Sequence, residues 1–172
     1  MTKKTALVEQ AGGIVVWGDK LILHRTDKRN LVFPKGNVEA GESTVEAAVR
    51  EVEEETGLIA EPIESAGTAE FAEDDKVRRV TYFVMQACRE TPEWRKHCGT
   101  DAFPVPLDWA DSLLKHQQTR AILAHVLPRV ERLAHAGNRR KQSVGGKAVL
   151  TGAPLLGLSS MDLQRVLMST LG

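Results

Sequence analysis

Cysteine is nearly absent from this chain. Cys88 and Cys98 are the only two, and neither belongs to a Cys-x-x-Cys pair. Nothing here suggests a disulfide framework, and two ordinary thiols in a reducing compartment are expected. Net charge is missing too: 23 Lys and Arg balance 23 Asp and Glu, so overall electrostatics select no class of partner. There is no long uncharged apolar run and no signal-peptide core at the N-terminus. A membrane span is not expected, and a cytoplasmic location is the default. Aromatics are only 5% of the residues, so each can be placed singly. Trp17, Trp94 and Trp109 read as packing residues. Tyr82, the sole tyrosine, reads either as a core residue or as a stacking partner for a base. No internal repeat is found.

What is present suits a soluble domain. The 172 residues are 42% hydrophobic and 27% charged, enough for one sizeable core and an appendage. Charge is unevenly spread. Residues 137–172 hold Arg139, Arg140, Lys141, Lys147 and Arg165 against one acid, Asp162. Spread so thinly, these cations make a poor nucleic-acid footprint. We expect a domain over residues 1–136, then a basic linker and a short amphipathic helix within 137–172. That helix would serve as a tether or as the contact of a homodimer.

Along the chain, residues 1–10 are polar and read as frayed or as an edge strand. The β-branched run 11–17 and the run 21–25, joined by the turn signal Gly18-Asp19-Lys20, read as a hairpin. Residues 31–33 are short and apolar, and Pro34 and Gly36 then break regular structure. A helix follows, with Ser43 and Glu46 spaced as a capping box and Gly57 as its stop. A weak strand is expected around 58–63, a hairpin tip at 73–76 and the strongest strand at 77–87. Residues 89–104 read as irregular. From about Trp109 to Ala136 the pattern is helical, with Pro128 expected to kink the helix or start a new one. This order of strands and helices is α/β or α+β.

The densest chemistry lies in residues 36–58, which hold seven carboxylates and one cation, Arg50. Wound at about 100° per residue, Glu51, Glu54 and Glu55 share one arc with Ala47 among them. Val45, Ala48, Val49, Val52 and Thr56 form the core face. Glu46, Glu53 and Arg50 point to solvent, with Arg50 one turn from both Glu46 and Glu54. A solvated face accounts for Glu46 and Glu53. It accounts poorly for three like charges on one arc, which repel without a counter-ion. Hard oxygen ligands on a rigid helix suit Mg²⁺ or Mn²⁺, and such an ion would offset the repulsion. Lys35 and Gly36 place a cation and a bare backbone beside the cluster.

The spacing of Gly36, Glu42, Arg50-Glu51-Val52, Glu54-Glu55 and Gly57-Leu58 resembles the Nudix box at every defined position, and the chain is similar to MutT-like Nudix hydrolases over about residues 8–135. The resemblance implies an α/β/α sandwich with a mixed β-sheet and a loop–helix–loop catalytic motif. It implies Mg²⁺-dependent hydrolysis of a nucleoside diphosphate linked to another moiety. By position, Glu51, Glu54 and Glu55 would be metal ligands, with one of them, often the first, as the base. Gly36 would ligate through its carbonyl, Arg50 would orient Glu54, and Glu42 would add an acid or anchor the loop.

Outside the box, Lys35, Arg78, Arg79, Tyr82 and Glu73 are the expected substrate contacts. Only one of Arg78 and Arg79 can face the site, because side chains alternate on a strand. One of His24 and Arg25 lines the cleft by the same rule. Glu70, Glu73 and Glu90 are candidates for an acid completing the set. Residues 31–36 and 78–83 resemble the dinucleoside polyphosphate and diphosphoinositol polyphosphate hydrolase branch, which makes an Ap4A-like substrate the first choice. The alternatives are a house-cleaning hydrolase of oxidised nucleoside triphosphates and a nucleotide-sensing module without catalysis. The intact box favours an enzyme.

Overall fold

The computed structural model of the chain describes residues 6–73 and 75–143. They form β1 (Ala6–Trp17), β2 (Lys20–Arg25), β3 (Leu31–Val32), β4 (Lys35–Asn37), α1 (Thr44–Thr56), β5 (Leu58–Glu73), β6 (Lys76–Glu90), α2 (Trp94–His97), β7 (Ala102–Pro106), α3 (Leu107–Leu113) and α4 (Gln117–Ser143). One mixed sheet runs in the order β3-β2-β1-β6-β5, with β4 added to β1 and β7 to β2. β1 is its axis. It pairs antiparallel with β2 and parallel with β6 from Ala6↔Lys76 to Val16↔Gln86.

A strand buried on both faces needs apolar residues at consecutive positions, and β1 supplies them. Ile14 and Val16 face one way, joining Leu21, Leu23, Val80, Tyr82 and Val84 under Leu123, Val126 and Val130 of α4. Val15 faces the other way, with Ile22 and Met85, under Val52 of α1 and beside Trp94. The result is an α/β/α sandwich, with α1 on one face and α4 on the other.

The acidic helix folds as its punctuation dictates. The Ser43 side chain accepts from the Glu46 backbone, and Glu46 reaches back to the Ser43 N–H. Gly57 ends the helix in the left-handed region at φ 73°, its N–H donating to the Glu53 carbonyl. A Cβ at Gly57 would run into the backbone of Glu93 and Trp94. The glycine therefore answers both a backbone and a packing constraint. Of the tryptophans, Trp94 is buried and stacks edge-on against Trp17 at 5.0 Å, whereas Trp109 is 36% exposed.

Several elements depart from the sequence reading. Residues 6–10 extend β1 in the middle of the sheet, where Gln10 donates to the Asn37 side chain instead of fraying. Residues 35–37, expected to be irregular, form β4, with Gly36 opposite Ala11. β5 is 16 residues long and not a short weak strand. Three register shifts disturb its pairing with β6 and hide its alternation. The expected tip is there, with Glu73 opposite Lys76. Within the irregular stretch, Ala102–Pro106 pairs with β2. Pro104 and Pro106 are tolerated because, beyond the Cys98–Ala102 bridge, the far side of β7 pairs with nothing among the described residues. The C-terminal helical region is two helices, broken at the buried Leu114, and α4 runs through Pro128 and on through residue 137 to Ser143. The linker therefore does not begin at 137. The helix expected at 159–171, and the dimer contact expected of it, lie outside the described residues. Among the described residues no helix is long and apolar enough to cross a membrane.

Gly57→Ala places a methyl group against the Trp94 backbone in a conformation that alanine resists. It should cost at least about 1 kcal/mol, which is roughly 2–4 °C in melting temperature for a domain of this size. Thermal denaturation of the two proteins checks this, and an unchanged melting temperature would refute the role assigned to Gly57.

Candidate active site

The acidic arc of α1 lies against the sheet and is not simply turned to solvent. Ala47, in the midst of the arc, is fully buried beside Ala11 and Val38. That contact seats the helix so that Glu51 meets β4: a Cβ on Gly36 would land on the Glu51 carboxylate. Any other residue at 36 would displace that carboxylate. Val45 and Val49, expected in the core, are only half buried and line a groove with Pro62 on the opposite flank of α1. Arg50 and Glu54 reach the edge of that groove, whose floor is apolar.

Arg50 does more than the helical wheel implies. Its Nε and Nη2 each donate at 2.9 Å to the two oxygens of Glu42, a forked contact. Nη1 donates to Glu51 Oε1 at 2.7 Å and to Glu54 Oε2 at 3.3 Å. Nη2 also reaches the Asn37 carbonyl at 2.9 Å. The expected link to Glu54 exists but is the longest of the set. Glu46, also one turn away, is taken by the helix cap instead. These bonds hold the Arg50 guanidinium firmly protonated, Glu42 and Glu51 foremost. Glu42 anchors the loop as well, accepting the Glu39 N–H at 3.1 Å.

Glu55 is handled differently. Burial pushes its carboxyl up to about 7, helped by Glu51 and Glu54 and opposed by Lys35. Its Oε2 accepts the Lys35 backbone N–H at 2.8 Å, and His24 Nε2 lies 3.6 Å from its Oε1. His24, not Arg25, is therefore the member of its pair that reaches the cluster. Its Nδ1 is buried with no hydrogen bond among the described residues. The repulsion among the glutamates is thus already lowered without a divalent ion, by the Arg50 fork and by the proton affinity of Glu55. The sequence reading had assigned that task to the metal alone.

The residues still suit a hard cation. Arg50 takes one oxygen from each of Glu51 and Glu54. It leaves Glu51 Oε2 and Glu54 Oε1 without hydrogen bonds among the described residues. Among those residues no three acidic, histidine or cysteine side chains converge on one point as the arc stands. Glu51 and Glu54, beside Gly36, are the residues that would hold such a cation.

The expected substrate residues divide by face. Arg78 is tied to Glu73 at 3.0 Å, and both lie near Lys35, whose ammonium is lowered by burial against the pull of Glu55. Arg79 points the other way, held by Glu70 at 2.8 Å and Glu9 at 3.2 Å, so neither Arg79 nor Glu70 joins the cluster. Tyr82 is 1% exposed and packs edge-on against Phe33. It offers no face to a ligand, because the sheet and α4 close over it. Glu90 pairs opposite Leu58 at the far end of the β5–β6 ladder. Sequence reasoning passed over Phe71 and His116, whose rings meet at 5.1 Å on the same face as Arg78. Phe71 falls between the strand expected around 58–63 and the tip expected at 73–76, and His116 falls within the helical pattern expected from about Trp109 to Ala136.

Comparison with known proteins agrees with this geometry. The family model of the NUDIX domain matches residues 8–129. The 8-oxo-(d)GTP phosphatase of Mycolicibacterium smegmatis is 27% identical over 153 residues, 74% of this chain and 44% of that protein. The chain thus spans less than half the length of this curated relative. Among solved structures, a NUDIX hydrolase from Nitrosomonas europaea superposes with a TM-score of 0.59 at 21% identity, over 71% of this chain and 89% of the other. The C. elegans Ap4A hydrolase gives 0.59 at 17% identity over 72% and 98%, and the MutT protein of Methanosarcina mazei 0.52 at 20% over 74% and 94%. At these identities the structures establish the fold.

Arg50→Ala frees Glu42, Glu51, Glu54 and the Asn37 carbonyl at once. It should lower the melting temperature by several degrees, and Arg50→Lys, which keeps the charge but not the fork, should recover only part of the loss. Calorimetry of both variants checks this, and full recovery by lysine would show that charge alone suffices.

Proposed function

The chain belongs to the NUDIX family, and from that premise we propose that it is a metal-dependent pyrophosphohydrolase of a nucleoside diphosphate linked to another moiety. The observation that carries the reading is the carboxylate arc of Glu51, Glu54 and Glu55 seated against Gly36 and ordered by Arg50. Glu51, Glu54, Glu55 and the Gly36 carbonyl would hold Mg²⁺ or Mn²⁺. When bound, such an ion neutralises phosphate charge and lowers the pKa of water. The protein's own groups do the rest. Arg50 keeps Glu51 and Glu54 aimed to one side, and one carboxylate of the arc accepts the proton of the attacking water. Lys35 and Arg78 supply positive charge to the phosphates.

For the substrate, we propose a nucleoside polyphosphate, with a dinucleoside polyphosphate as the first candidate. The Pro34-Lys35-Gly36 segment leading into β4 and the basic start of β6 support that choice. An oxidised nucleoside triphosphate is the second, favoured by the 8-oxo-(d)GTP phosphatase as the curated relative. A phosphate-release panel with Mg²⁺, with and without EDTA, separates them: diadenosine polyphosphates, normal and oxidised nucleoside triphosphates, ADP-ribose and inositol pyrophosphates. Cleavage abolished by EDTA and confined to one class identifies the substrate. Silence across the panel, with nucleotide binding retained, would replace the hydrolase by a nucleotide sensor.

Glu54→Gln and Glu55→Gln keep shape and remove charge. Each should lower turnover by orders of magnitude with the circular dichroism spectrum unchanged. A loss smaller than about tenfold, or about 1.4 kcal/mol, would argue against metal ligation by that residue.

A further inference from the structure

The groove on the outer flank of α1 is used by none of the chemistry above. It encloses about 770 Å³ between α1, Pro62 of β5 and the turn from β6 into α2. Val45, Val49 and Pro62 make an apolar floor. Glu46, Glu53, Glu54 and Glu93 stand around it, against Arg50 as the one cation of the lining. That guanidinium is already bonded to Glu42, Glu51 and Glu54. Carbon therefore lies below and mostly negative charge above. Nothing among the described residues fills the hollow, and an exposed apolar hollow of this size marks a contact site.

The chain beyond α4 has the complementary chemistry. Residues 137–172 carry five cations and one acid. Within them Leu163, Val166, Leu167 and Leu171 recur at the spacing of one helix face, while Asp162, Arg165 and Ser169 fall on the opposite one. Lengths agree as well. At ~1.5 Å per residue, a helix spans about 12 Å from Leu163 to Leu171, and α1 about 13 Å from Val45 to Glu54.

Position agrees too. Ile122, early in α4, lies near Gly67 in the middle of β5. Ala134 and His135, later in α4, lie beside Asp19 in the turn after β1. The groove is at that same end of the sheet: Pro62 pairs with Met85, Met85 pairs with Val15 near the end of β1, and Thr91 follows β6 directly. Seventeen residues, 144–160, then separate α4 from the apolar stretch. Extended, they reach on the order of 55 Å, more than the roughly 30–40 Å across a domain of this size. A tether of that length also holds the stretch at about millimolar effective concentration, which favours it over a free partner.

We propose that residues 161–171 dock as an amphipathic helix in the groove of their own chain, with Leu163, Val166, Leu167 and Leu171 on Val45, Val49 and Pro62, and the basic residues of the tail facing the surrounding glutamates. The tail then covers the outer flank of the acidic helix, next to Arg50 and Glu54. This docking holds whether or not the glutamates hydrolyse anything.

Hydrogen–deuterium exchange on the full chain tests it, comparing wild type with Leu167→Asp and Val45→Asp. The second variant leaves the tail intact and puts an acid in the first turn of α1, where the helix dipole favours one. In wild type the amides of 161–171 should exchange at least about tenfold more slowly than in an unstructured chain. Both variants should abolish that protection while β1 and α4 keep theirs. If Val45→Asp also loosens α1, Val45→Ser replaces it. Unprotected amides in wild type, or protection that survives the change at Val45, would overturn the docking. Protection that grows with protein concentration would place the tail on a second copy instead and overturn docking within one chain.

Discussion

The forked contact between Arg50 and Glu42 organises the glutamate-rich segment from Gly36 to Leu58, and most of what surrounds it depends on it. One guanidinium gathers Glu42 from the loop, Glu51 and Glu54 from the helix, and the Asn37 carbonyl from the end of β4. These groups come from three different elements, and nothing else described ties all three together. Planar geometry matters here, because only a guanidinium has enough fixed donors to serve so many acceptors. The helix, the loop and the strand are thereby held as one unit, and the free oxygens of Glu51 and Glu54 are left on one side of it.

The sheet sets where that unit sits. β1 lies at the centre, and β4 hangs from its early half, so Gly36 is placed opposite Ala11 while α1 packs over the same strand. Small residues make the approach close: Ala11, Ala47 and Ala48 form the seam, and Gly36 leaves room for the Glu51 carboxylate. Burial at the end of this seam explains the unequal treatment of the three carboxylates. Glu54 stays in water, Glu51 is neutralised by Arg50, and Glu55 sits among Lys35, His24 and the sheet edge with a raised proton affinity.

Strand alternation then divides the basic residues between two faces. Arg79 is spent on the Glu9 and Glu70 pairs, while Arg78 shares its face with Lys35 and the Phe71–His116 rings. Exposed pairs such as Arg79–Glu70 contribute little to stability. Their effect is to keep that cation away from the cleft. Which cations share a face with Lys35 is therefore decided by parity along β6 as much as by composition.

Short-range rules account for what was legible in the residues alone. The cap at Ser43, the stop at Gly57, the first hairpin and the acidic arc all follow from contacts within a few positions of the chain. The spacing from Gly36 to Leu58 named the family because it is a pattern of residue types that can be read without the contacts those residues make. Elements whose identity depends on a distant partner were not legible. β4 and β7 exist because β1 and β2 offer them hydrogen bonds, and the polar start of β1 is a strand because β6 runs beside it. The reach of Arg50 to Glu42, the burial of Tyr82, the parity that turns Arg79 away and the meeting of Phe71 with His116 likewise required the chain to be folded. The sequence by itself determined which chemistry the helix carries, since charge and period are local properties. Tertiary structure decided which side chains share a face and which carboxylate is stripped of water, since burial and register are set only when strands far apart in the chain come together.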